Sequence, residues 1–174
     1  MSLPKLTLIL GGAASGKSVF AESLVLKEKL EPVYIATAQV FDNEMAEKVA
    51  RHRAQRGDRW ITIEEPLAVA EALKQSSGTQ AVLIDCATLW LTNILLDDRD
   101  IAAESNSLMK ALAGCAAPIV IVSNEVGYGI VPENALSRRF RNAQGRLNQD
   151  IAAQADCVVS VMAGLPMVLK GALP

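Results

Sequence analysis

Residues 5–18 read "KLTLIL" and then "GGAASGKS". The first six form a short apolar run that stops at glycines, which predicts a buried strand. The next eight fit G-x-x-x-x-G-K-[ST], and residues 17–30, which follow, have helical spacing. Strand, loop, helix is the order that a phosphate-holding loop requires. Gly11 and Gly16 permit backbone conformations and close approaches that a Cβ hinders. Successive N–H groups then face one concavity at a helix N-terminus, where an anion is favoured. The whole loop, Gly11, Gly12, Ala13, Ala14, Ser15, Gly16, Lys17 and Ser18, is therefore expected to bind a nucleotide. Lys17 is expected at the β- and γ-phosphates and the Ser18 hydroxyl on Mg²⁺. The loop alone specifies no reaction, because kinases, GTPases and motors share it.

The rest of the chain repeats the alternation. "VYIAT" (33–37), "AVLID" (81–85), "PIVIVSN" (118–124) and "CVVSVM" (157–162) are rich in valine and isoleucine, as parallel strands covered on both faces are. "WITIEE" (60–65) alternates more and is a possible additional strand. Helical spacing recurs from Asp42, a candidate cap, through "NEMAEKVARHRAQR", from Pro66 to about Gln75, and over 101–113 and 133–155. Residues 97–106 read as an exposed connection. Strands alternating with helices predict a mainly parallel sheet flanked by helices, one P-loop catalytic domain over residues 1–174.

Composition narrows the function. With 51% hydrophobic and 21% charged residues the chain is globular in type. A net charge of −2 argues against non-specific nucleic-acid binding, which needs a broad basic surface. No apolar run reaches the roughly 18 residues of a membrane span. The three cysteines are scattered, so a structural zinc site is not expected, and free thiols with no recognisable export signal fit the cytoplasm.

Two further features carry chemistry. Asp85 ends a buried strand, where a carboxylate can order the Mg²⁺ of a P-loop enzyme; the plainer reading is a strand-end acid facing a loop. His52, in "VARHRAQR" (49–56), is the chain's one histidine. On helical spacing Met45, Val49 and His52 share a face, so the imidazole can be the polar end of a packed stripe. Alternatively, the neighbouring arginines hold a triphosphate, favour the neutral imidazole, and leave it able to attack phosphorus. Spacing does not choose between these.

Together, "LGGAASGKSVFAESL" (10–24), "YIATAQVFDNEMAEKVARHRAQR" (34–56), "LIDCATLWLTNIL" (83–95) and "VSNEVGYGIVPENALSRRFRNAQGRLNQDIAAQAD" (122–156) resemble the bifunctional adenosylcobinamide kinase/adenosylcobinamide-phosphate guanylyltransferase family. The resemblance extends over nearly the whole chain, in the family's order. Two positions depart from it: Ala14 stands where the family's loop usually has arginine, and Tyr128 replaces a frequent methionine. The resemblance implies a RecA-like P-loop α/β fold, a homotrimer, and two reactions in cobalamin biosynthesis. Adenosylcobinamide is phosphorylated with ATP or GTP. GMP is then transferred from GTP to adenosylcobinamide phosphate through a guanylyl-histidine, giving adenosylcobinamide-GDP and pyrophosphate. That makes His52 and Lys17 catalytic. It also assigns Ala36, Thr37, Ala38, Arg53, Ala54, Gln55, Arg56, Glu64 and Asp85 to the nucleotide, while the P-loop reading places Ser18 and Asp85 at the metal. Asn124 and Glu125 receive no role. A kinase for another small alcohol, with His52 structural, and a nucleotide-driven switch protein are the competing readings; a nucleic-acid motor is disfavoured by acidity and size.

Overall fold

Every strand expected from an apolar run is present, and one more follows them. The structure, a computed structural model, describes residues 2–39, 46–47, 50, 53–54 and 57–174. Among these residues the strands are β1 (Leu6–Gly11), β2 (Glu31–Ala36), β3 (Ile61–Glu64), β4 (Gln80–Asp85), β5 (Ile119–Asn124), β6 (Cys157–Met162) and β7 (Leu165–Lys170). They form one sheet in the order β3-β2-β4-β5-β1-β6-β7, parallel throughout except for the antiparallel β6–β7 pair.

Side-chain alternation divides the core in two. On one face Leu8, Ile35, Ile84 and Ile121 pack against α2 (Val69–Lys74), α3 (Ala87–Leu96), α4 (Ile101–Gly114) and α5 (Ala135–Gln154). On the other, Ile9, Leu83, Val120 and Val122 pack against Ala21, Leu24 and Val25 of α1 (Lys17–Leu26), with Tyr34 and Trp60 in edge contact at 5.6 Å. The central strands are buried on both sides, which is why they read as unbroken apolar runs. Each large buried side chain contributes about 1.5–3 kcal/mol through burial.

Polar capping fixes two helix starts. Asp100 Oδ1 accepts from the N–H groups of Ala102 and Ala103, and Asn134 Oδ1 accepts from that of Ser137. The expected connection at 97–106 is therefore only a short turn before α4. The expected helix from Asp42 is helical at its described residues, 46–47, 50 and 53–54; Asp42, Met45, Val49 and His52 lie outside the described residues.

Two elements exceed the expectation. Helix α3 follows directly on Asp85, started by Cys86, whose sulfur accepts from Leu89 N–H at 3.5 Å. Strand β7 follows β6 through a tight turn with both Ala163 and Gly164 at positive φ, the geometry that matches a hairpin's twist. It is exposed along its whole length, with Leu165, Met167 and Leu169 open to solvent.

Candidate functional site

The loop expected to bind phosphate, residues 11–18, lies at the C-terminal end of β1, the side of the sheet where α/β folds place ligands. The loop after β1 is set by close backbone packing. A Cβ on Gly11 would come within 2.4 Å of Ser15 Oγ and 2.6 Å of the Val161 carbonyl. Gly16, the N-cap of α1, sits at φ 90°, and no side chain caps the first turn of that helix. The turn between β6 and β7 braces the loop from outside, with Gly164 N–H donating to the Ser15 carbonyl at 2.8 Å. Ala14, at φ 54°, is exposed on the loop's rim, so the cradle itself needs no side chain there. Lys17 Nζ donates to the Gly12 carbonyl at 2.8 Å, which folds the ammonium over the cradle.

The strand ends beside it carry the acidic residues. Asp85, Ala36 and Glu64 stand abreast: Ala36 pairs in register with Asp85 on one side and with Glu64 on the other. Asp85 Oδ2 accepts from the Tyr34 hydroxyl at 2.8 Å, so one oxygen is oriented from the α1 face. Arg53 Nη2 meets Glu64 Oε1 at 2.5 Å. Both of those side chains are largely exposed, so the pair contributes orientation more than stability. Ala54 is exposed next to it, whereas His52, Gln55 and Arg56 lie outside the described residues.

Thr37 is fully buried and its hydroxyl is committed: it donates to the Cys86 carbonyl at 2.8 Å and accepts from the Cys86 N–H at 2.7 Å. It clasps the end of β2 to the end of β4, and Asn93 Nδ2 donates to its carbonyl at 2.8 Å. Ala38 beyond it is half-buried. The Asp85–Cys86 peptide is cis. Burial, and then the charge of Asp85, push the Cys86 thiol up to about 11, so it stays protonated at neutral pH as a cap and not a nucleophile.

Tyr34, Cys86 and Asn93 are the site-shaping residues that the sequence reading did not single out. Tyr34 was detectable in principle, as a polar-tipped side chain on the face of β2 that alternation gives to Asp85. Cys86 and Asn93 depend on α3, which that reading did not propose.

A separate crevice of about 750 Å³ lies between α4 and α5, with Arg99, Asp100, Arg139, Arg146 and Asp150 among its walls. Two of its arginines are already paired, Arg99 with Asp97 and Arg146 with Asp150. None of the expected site residues lines it. Among the described residues no group of three or more His, Cys, Asp or Glu could hold a metal by itself, and no helix is long and apolar enough to cross a membrane.

Comparison with known proteins agrees with this geometry. Residues 7–169 match the family described as cobinamide kinase / cobinamide phosphate guanyltransferase. The chain is 47% identical over 167 residues to the bifunctional adenosylcobalamin biosynthesis protein CobP of Pseudomonas aeruginosa, covering 94% of this chain and 96% of that one. It is 40% identical over 179 residues to the bifunctional adenosylcobalamin biosynthesis protein CobU of Escherichia coli, covering 94% and 98%. Among solved structures it is similar to the flagellar accessory protein FlaH of Methanocaldococcus jannaschii, with a TM-score of 0.54 at 13% identity, covering 97% of this chain and 80% of that one. The fold is that of P-loop NTPases in the RecA-like arrangement, with β5 inserted between the P-loop strand β1 and the Asp85 strand β4.

Proposed function

The chain belongs to the cobinamide kinase / cobinamide phosphate guanyltransferase family and is a bifunctional transferase of adenosylcobalamin biosynthesis, and we propose that one P-loop domain carries both reactions, with GMP held covalently on His52 between them. The observation that carries this reading is the meeting, at one end of the sheet, of the Gly11–Ser18 cradle with the row Asp85, Ala36 and Glu64. In the kinase step the γ-phosphoryl group of ATP or GTP passes to the aminopropanol hydroxyl of adenosylcobinamide. The hydroxyl loses its proton as the O–P bond forms, and the nucleoside diphosphate leaves. In the second step a neutral His52 nitrogen attacks the α-phosphorus of GTP and pyrophosphate leaves. An oxygen of adenosylcobinamide phosphate then attacks the phosphoramidate, giving adenosylcobinamide-GDP and freeing His52.

The cradle's N–H groups and Lys17 hold phosphate charge and cost no reorganisation during transfer. Ala36 to Ala38 form the neighbouring wall, where Thr37 is spent on holding the wall together. Arg53 and Glu64, with Ala54, Gln55 and Arg56, are assigned to GTP. The Ser18 hydroxyl and the Asp85 carboxylate are hard oxygen donors of the kind Mg²⁺ takes alongside nucleotide phosphates, and they suit that ion. When bound, Mg²⁺ offsets charge on the β- and γ-oxygens.

The assay that tests this supplies adenosylcobinamide with ATP and GTP and resolves the products. Adenosylcobinamide phosphate is expected first and adenosylcobinamide-GDP with pyrophosphate second. Phosphorylation without any GMP transfer would reduce the protein to a small-alcohol kinase. Hydrolysis with no corrinoid product would leave a switch.

We also assign a homotrimer. Leu165, Met167 and Leu169 on the exposed edge strand β7 supply apolar surface for contact between copies. Light scattering at micromolar concentration is expected to give about three times the 18.6 kDa chain mass. A concentration-independent monomer would reject the trimer and leave the enzyme assignment standing.

A further inference from the structure

Asp85 is held by β2, its neighbour in the sheet, and by Thr37, the residue that follows β2. The Thr37 N–H donates to the Asp85 carbonyl at 3.1 Å, and the Thr37 hydroxyl bridges the N–H and carbonyl of Cys86. Those contacts fix the backbone. The side chain is fixed separately, by the Tyr34 hydroxyl, which donates to Asp85 Oδ2 at 2.8 Å.

Register gives this second contact its direction. Tyr34 pairs with Leu83 and Ala36 with Asp85. Tyr34 and Leu83 belong to the α1 cluster, and alternation puts Ala36 and Asp85 on the same face two residues further on. The phenol therefore reaches Asp85 diagonally, from nearer the N-terminal end of the sheet. The side chain abreast of Asp85 is only the methyl group of Ala36, which leaves that diagonal open. The ring itself is locked. Tyr34 is 4% exposed, and Trp60 meets it edge-on, with ring centroids 5.6 Å apart and an interplanar angle of 87°.

A phenylalanine would fill this part of the core as well, and a hydroxyl is costly in an apolar cluster unless it has a partner. The partner here is a half-buried carboxylate at the ligand end of the sheet. One carboxylate oxygen is taken by the phenol. The other, Oδ1, accepts no hydrogen bond among the described residues. We infer that Tyr34 is a positioning residue for the metal site: its hydroxyl takes Oδ2 and so fixes Oδ1 as the oxygen that Asp85 presents to the nucleotide's Mg²⁺. This rests on the assignment of Asp85 to Mg²⁺ above, and adds to it the residue that aims the ligand. A group that holds a metal ligand from behind sets its orientation, and losing one costs roughly 10–100-fold in metal affinity or activity. The competing account makes Asp85 merely the acceptor that satisfies a buried phenol, so that the bond serves the core alone.

The test uses the full chain with Tyr34→Phe, which keeps the ring against Trp60 and removes only the hydroxyl, and with Asp85→Asn. Affinity for the β,γ-imido analogue of GTP is measured by calorimetry in EDTA and in Mg²⁺, below the melting midpoint of each variant. Affinity of the protein–analogue complex for Mn²⁺ is measured by electron paramagnetic resonance. Tyr34→Phe is expected to weaken Mn²⁺ about tenfold and to leave analogue affinity in EDTA within about twofold of wild type. In the kinase assay, the Mg²⁺ concentration giving half the maximal rate is expected to rise by a similar factor. A folded Tyr34→Phe protein that loses analogue affinity equally in EDTA and in Mg²⁺, with Mn²⁺ affinity unchanged, would show that the bond serves the core and would overturn the inference. Asp85→Asn separates this outcome from failure of the reading beneath it. If Asp85→Asn weakens Mn²⁺ and Tyr34→Phe does not, the positioning role falls and the metal assignment stands. If Asp85→Asn binds Mn²⁺ as tightly as wild type, Asp85 holds no metal and both fall.

Discussion

Lys17→Ala is expected to leave the protein folded and to lower both the kinase and the GMP-transfer rates by roughly 10²–10³-fold, the range found when one preorganised donor to a reacting oxyanion is removed. The structural reason for retained folding is local. The core of α1 is made by Ala21, Leu24 and Val25, and the cradle's shape comes from Gly11, Gly16 and the brace from Gly164. The Lys17 ammonium folds back over the loop to the Gly12 carbonyl, and alanine is well tolerated in a helix. The melting midpoint should therefore shift by no more than about 2–4 °C, the equivalent of about 1 kcal/mol for a chain of this size. The functional loss has a separate cause. A triphosphate delivers several negative charges to a cradle of neutral N–H dipoles, and one adjacent cation is a large share of their neutralisation. Triphosphate affinity should fall along with both rates if, as proposed, both reactions begin from a nucleoside triphosphate in the same loop. A variant with wild-type GTP affinity and near-normal turnover would place the phosphates elsewhere.

Much of the fold was legible because its strands are buried on both faces. "LTLILG", "AVLID" and "IVIVSN" read as apolar runs, and they end at Gly11, Asp85 and Asn124. Their neighbours in the sheet were not legible. Nothing in the runs says that β5 separates β1 from β4, and that order is what puts Asn124 between cradle and carboxylate. Helix α3 was missed for a physical reason. "ATLWLTNILL" is apolar on nearly every side, with Trp90, Leu91, Ile94 and Leu95 all buried, so it lacks the polar stripe that marks a surface helix. Strand β7 was missed for the opposite reason. "LPMVLK" is exposed throughout, and its apolar residues serve no core of this chain, so burial periodicity gives it no signature.

The site divides in the same way. The phosphate loop is legible because its chemistry is local: one stretch of eight residues holds every group. Asp85 and Glu64 were legible only as candidates, since their value depends on standing abreast of Ala36 across two parallel pairings. Thr37 shows the limit of transfer by position. Its place beside the cradle agrees with the expectation, yet its hydroxyl is consumed by the Cys86 peptide group. What it contributes is the shape of the wall. The same holds for the buried cluster behind Asn124, made by Thr88, Ser123, Gln144 and Asn148, whose side chains come from α3, β5 and α5 and meet only on folding.

His52→Asn is expected to abolish covalent labelling by α-labelled GTP with Mg²⁺, to remove most GMP transfer, and to spare much of the kinase step. The argument is chemical. The kinase reaction needs the cradle, Lys17 and an oriented acceptor, and none of these is an imidazole. Guanylyl transfer through the enzyme needs a nucleophile that is unprotonated near pH 7, and His52 is the chain's one histidine. Arg53, its neighbour in sequence, pairs with Glu64 at the strand end beside Ala36, which brings that part of the basic segment to the nucleotide side of the sheet. The label on wild-type protein should survive alkali and be lost in acid, because a P–N bond hydrolyses once its nitrogen is protonated. If His52 is instead the polar end of a packed helical stripe, its replacement should lower the melting temperature and reduce both activities in parallel. Separate kinase and transfer assays beside a melting curve distinguish these outcomes. With no second histidine to take over, a His52→Asn protein that still acquires an alkali-stable label and transfers GMP at the wild-type rate would sink the covalent route, and the second reaction would then have to pass GMP directly from GTP to the corrinoid phosphate.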